Sequence, residues 1–174
     1  EVARLELLDD ALNPLFADPE IVFGAERLAQ HRLDSQPWEQ APLVDWRPAA
    51  EAKLALMRRL FEDFESRDVS SGSDLAKAFD GFLREGGDLL QGHAVFEALH
   101  GKWLGGELAL GFWRDWPAAF RHGPSHRDDP ELAAFLAVEG TTVRFHQFLQ
   151  WLAARSFAAA QEAAETLIDA GVQS

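Results

Sequence analysis

Residues 145–153 read FHQFLQWLA, and this run limits what the rest of the chain can be. Phe145, Phe148, Leu149 and Leu152 recur at i, i+3, i+4 and i+7, the spacing that stacks side chains on one face of an α-helix. Trp151 and Phe157 extend the apolar surface sideways. A helix with so much aromatic area is stable in water only when other elements cover it, so the remaining segments are read as its cover.

Those segments are punctuated as helices. In the first sixteen residues a short helix is expected before the Asn13-Pro14 turn and an extended piece after it. Asp18-Pro19-Glu20 carries a capping acid, a proline at the first helical position and an acid in the first turn, so a helix is expected from Pro19 to about Arg32. Pro37, Pro42 and Pro48 make residues 34–48 a connector, with Leu43-Val44-Asp45-Trp46 apolar enough to pin it to the core. From Pro48 to Glu65 the stripe Met57, Leu60, Phe61 and Phe64 predicts an amphipathic helix. Lys53, Arg58, Arg59, Glu62 and Asp63 are placed outside. SRDVSSGS, residues 66–73, reads as a polar loop. Ser73 or Asp74 then caps a helix that Gly86-Gly87 ends. The next helix runs from Asp88 to about Trp103, with Leu89, Val95, Phe96 and Leu99 inward, and Gly101, Gly105, Gly106 and Gly111 loosen the segment beyond it. FWRDWP, residues 112–117, is a second aromatic cluster, and RHGPSHRDDP, residues 121–130, is a polar loop. Asp129-Pro130-Glu131 repeats the helix-start pattern. A helix to about Val138 leads through Gly140 to a start at Thr141/Thr142. A long last helix then runs from Val143 to about Ala170, with Gly171 as its stop. No stretch reads as a strand and no repeat is present. The fold class expected is all-α, a single domain over residues 1–174 built as a bundle of about six or seven helices with a long aromatic-rich C-terminal helix.

Composition removes several function classes. The chain has 174 residues, enough for one domain with a core. Its net charge of -13 repels phosphate backbones and anionic lipid, so neither nucleic acid nor membrane is expected as a partner. With no cysteine, disulfides, thiolate catalysis and thiolate metal sites are excluded. The apolar runs fall short of the roughly 20 residues a membrane helix needs. EVARLELLDD lacks the basic start and apolar core of a signal peptide, so a cytoplasmic setting is expected.

The chemistry-bearing residues give few constellations. His146 lies four residues before Gln150 on the aromatic helix; it is either a ligand-binding or acid–base group or half of a satisfied polar pair. Trp103, Trp113 and Trp116 serve either as stacking platforms for a ligand or as anchors that bury their loop. His93 and His100 lie seven apart, and His122 and His126 share a loop. None has carboxylates spaced as a zinc site requires, so no metal and no cofactor is expected. Residues 70–73, SSGS, lack the lysine and glycine spacing of a phosphate loop, and no Gly-x-Ser-x-Gly elbow occurs. With 29 Asp and Glu in the chain, acidic pairs are easy to nominate, and most lie on solvated faces.

The ordered motifs LNPLFADPE, PLVDW with LMRRLFEDF, FDGFLREGGDLLQGHAVFEALHGKW, WRDWP and VRFHQFLQWLAARSFAAAQEAA resemble the 4-α-glucanotransferases, also called amylomaltases or disproportionating enzymes. The resemblance spans residues 12–164. It implies the helical insertion that decorates the rim of a (β/α)8 barrel, in enzymes that cleave an α-1,4-glucan, hold the fragment on an Asp and pass it to another sugar. It also implies that the carboxylates of that chemistry lie in barrel segments following this region, so no catalytic residue is placed here. Where the family continues into a glycine-rich turn and a barrel strand, this chain has TLIDAGVQS. Where the family has a serine- and aromatic-rich loop before LNPLF, it has EVARLELLDDA. The expectation is an isolated or engineered helical subdomain, inactive alone, whose parent enzyme takes α-glucan. Trp113, Trp116 and His146 are its candidate sugar-contacting residues. The alternatives are a helical interaction module that self-associates through an exposed apolar face, and a glucan-binding module without catalysis.

Overall fold

The computed structural model describes residues 11–31, 46–104, 116–117, 120 and 130–172. Asn13 opens a 3₁₀ turn, Pro14–Phe16, by accepting a hydrogen bond from the Leu15 amide at 3.0 Å. Four α-helices lie among the described residues: α1, Glu20–His31; α2, Trp46–Phe64, which runs on into a π-helical turn, Glu65–Val69; α3, Asp74–Leu104; and α4, Pro130–Val172. No strand occurs among the described residues, and the all-α class holds.

Among the described residues four helices stand where six or seven were expected over the whole chain. The helix expected before Asn13 lies outside the described residues, as do Leu43 to Asp45, Gly105 to Asp115 and the loop residues 121–129. Two expected helices are fused in α4, because Gly140 stays within the helix and the Thr142 hydroxyl donates to Glu139 Oε2 at 2.9 Å inside the same turn rather than opening a new one. A mid-helix glycine is unfavourable by only about 1 kcal/mol, which the packing of so long an element absorbs. Gly171 also lies inside α4 rather than stopping it. The expected break at Gly86-Gly87 is present in the backbone of α3, where Gly87 takes φ 48° and ψ -135°. A similar break at Gly24, φ 75° and ψ 158°, kinks α1. The loop expected at residues 66–73 is instead mostly helical. The π turn carries the chain past Phe64, and the Ser71 hydroxyl donates to Arg67 O at 2.6 Å before Gly72 turns it at φ 64°.

The caps form as the sequence predicts. Asp18 Oδ1 accepts from the Glu20 amide at 3.0 Å, and Ser73 Oγ accepts from the Ala76 amide at 3.2 Å, so each helix start has one orphan donor satisfied.

The chain divides into two compact units, Glu1–Ala11 with Ala78–Phe148 and Leu12–Lys77 with Leu149–Ser174. In the first, Ala94, Val95, Ala98 and Leu99 of α3 pack with Leu132 and Phe135 of α4 around a buried Trp116. Phe148 meets Phe79 edge-on at 6.3 Å. Two positions expected inward are not: Leu89 is 57% and Phe96 40% exposed. Gly87 interrupts the helix two residues before Leu89, so the periodic face starts afresh beyond it. In the second unit the predicted stripe of Met57, Leu60, Phe61 and Phe64 is buried throughout. Phe23 and Phe64 close on Trp151 at 6.5 and 5.6 Å between ring centroids. Pairs of this kind add about 0.5–1.5 kcal/mol each beyond the area they bury.

A strap from Leu12 to Pro19 lies across the second unit. Gln150 holds its start, its Oε1 accepting from Leu12 N at 3.1 Å and its Nε2 donating to Leu12 O at 2.9 Å. The Ser156 hydroxyl accepts from Asp18 N at 2.7 Å at the other end. Lys53, expected outside, instead turns its ammonium onto Leu15 O at 2.6 Å.

Candidate functional site

The π turn after α2 builds the one charged constellation found in the described interior. Asp68 lies four residues after Phe64, so it continues the apolar stripe of α2 inward and is only 8% exposed. A carboxylate there needs a partner. Arg27, four residues after Phe23 and beyond the Gly24 kink of α1, supplies it: one terminal nitrogen donates to Asp68 Oδ2 at 2.5 Å, and Nε donates to Asp63 Oδ2 at 2.7 Å. The same guanidinium lies 4.8 Å from the Phe23 ring centroid, a cation–π distance. Ser73 completes the arrangement by donating to Asp68 Oδ1 at 2.8 Å while capping α3. Arg67 approaches Asp63 Oδ1 at 3.6 Å, and His31 Nε2 lies 3.5 Å from Asp63 Oδ2 without a hydrogen bond.

The electrostatics fix the charge states. Burial lowers the Arg27 pKa, but the hydrogen bonds and charges of Asp68 and Asp63 outweigh it and leave it raised. Burial raises the Asp63 pKa, yet Arg27, with the charges of Arg67 and His31, overrides it and holds the carboxyl below its ordinary range. Asp63 therefore stays ionised near neutrality and has no proton to give. Retaining glycosyl transfer needs two carboxyl groups about 5–5.5 Å apart, one of them protonated to act as the acid. Asp63, held ionised by Arg27, cannot be that acid. The chemistry of the two carboxylates is that of a clasp joining α1, the π turn and the α3 cap. Polarity alone places Asp63 on the solvent side of α2, and the structure turns it inward.

Of the described residues singled out from sequence, Trp103 and Trp116 share the core of the first unit, with His100 beside Trp116. Trp113 lies outside the described residues. Trp116 is 1% exposed, with Phe96 at 5.3 Å and His100 at 6.4 Å, so its ring is covered by protein. His146 is half-buried and its ring lies 5.8 Å from that of Phe145; the Gln150 amide expected as its partner goes to Leu12. Trp103 packs on Phe120 at 6.3 Å, and its indole nitrogen is buried without a hydrogen-bond partner. His122 and His126 lie outside the described residues. Among the described residues no group of three His, Asp or Glu is placed to hold a metal ion, and no helix is long and apolar enough to cross a membrane.

The described residues form packed helices, and Arg27 clasps Asp63 and Asp68 between α1 and the π turn. The family model for 4-alpha-glucanotransferase matches residues 9–168, most of the chain, and the chain belongs to that family. No solved structure matches it.

Proposed function

We propose that this chain is the helical part of a 4-α-glucanotransferase and serves as a folded, non-catalytic scaffold, the parent enzyme transferring α-1,4-glucan segments with retention. The observation that carries the reading is the Arg27 clasp: Asp63 and Asp68 are both bound to one guanidinium, and Asp63 is held ionised and so offers no proton. The family match supplies the substrate class. Maltotriose disproportionation with the purified chain tests it. No glucose or longer oligosaccharide is expected; turnover by the purified chain overturns the scaffold reading, and its loss in Asp63→Asn or Asp68→Asn would trace the chemistry to this pair. The setting that goes with this reading is the cytoplasm.

A second reading, a stand-alone interaction module, draws on Phe157, Leu167 and Ile168, apolar side chains of α4 that face water. Sedimentation at graded concentration separates the two: a chain that stays monomeric throughout removes the self-associating form. Retained glucan binding without catalysis is tested by titrating maltooligosaccharides against tryptophan fluorescence.

A further inference from the structure

We draw no further inference here: the strongest candidate, the exposed apolar stripe of Phe157, Leu167 and Ile168 on the last turns of α4, is an unpartnered helix face, and nothing in the structure shows what covers it.

Discussion

Asp63 and Lys53 are both polar residues of α2 turned away from solvent, and they affect stability with opposite signs. The folded pKa of Asp63 lies below the unfolded value near 3.8, so the chain gains stability from its ionised form above that value. The gain is lost as pH falls through the folded pKa. Asp63→Asn is expected to cost about 2 kcal/mol at neutral pH, the range for a charge-assisted hydrogen bond. The gap to the original chain should close in urea titrations taken progressively below pH 3.8. A gap that stays constant with pH would mean that packing, not charge, is what Asp63 contributes. For Lys53, burial lowers the pKa and Asp18 only partly offsets it. Its protonated form is the disfavoured one in the fold, so stability should rise with pH between the lowered value and 10.5. Lys53→Met keeps the apolar stem and removes the desolvated ammonium, while Leu15 O loses its donor. The net change at pH 7 is expected to stay within about 1 kcal/mol, and the alkaline rise should vanish. Sequence misplaces both residues because helical periodicity assigns polar residues outward by default. The available signal is Asp68, an acid continuing the Met57–Phe64 stripe at i+4 from Phe64, hidden because residues 66–73 read as a loop.

The elements are legible where the chain forces them and illegible where packing decides. Asp18 and Ser73 cap their helices because a short oxygen-bearing side chain before a helical run has few other uses. Gly87 is readable for the same reason: at φ 48° and ψ -135° an L side chain is strained, so a paired glycine there signals a break. Gly140 carries the same residue type within a helix, and only the surrounding packing distinguishes the two. That distinction is testable. Gly87→Ala is expected to destabilise by about 1–3 kcal/mol, the usual range for a residue forced into a sparsely populated region. Gly140→Ala, whose added Cβ meets nothing within 4 Å, should be stabilising by up to about 1 kcal/mol. Thermal denaturation of both variants reads the contrast, and a loss of stability in Gly140→Ala would contradict a continuous α4. The strap is a tertiary device that no local pattern announces, since Leu12 and Gln150 are 138 residues apart. Gln150→Leu removes both hydrogen bonds to Leu12. Its expected effect is about 1–3 kcal/mol and faster amide exchange at Leu12 and the turn after it, with the Met57–Phe64 stripe still protected. Exchange that quickens equally along α2 would show that Gln150 holds the core rather than the strap.

At the scale of the whole chain the dominant quantity is charge, with 29 acids against 16 Lys and Arg. Folding brings those acids closer together than the unfolded chain does, so net repulsion opposes the compact state. Exposed pairs pull the other way. Lys77 meets Asp74 at 2.8 Å with both side chains mostly in water, where solvent and salt screen the attraction. Salt decides between the two. Raising ionic strength from about 0.01 M to 0.15 M shortens the Debye length from about 30 Å to about 8 Å, which removes repulsion between distant acids. It acts much less on the half-buried Arg27–Asp63 contact at 2.7 Å. Screening should therefore take away more repulsion than attraction. A gain of about 1 kcal/mol, or about 2–4 °C in Tm for a chain of this size, is the expected outcome. Asp63→Asn should gain about as much from salt as the original chain, because one acid among 29 carries little of the long-range repulsion and its contact with Arg27 is little screened. A fall in Tm over the same salt range would mean that the exposed ion pairs outweigh the excess of acids, and that the acidic surface is stabilised by local pairing rather than merely tolerated.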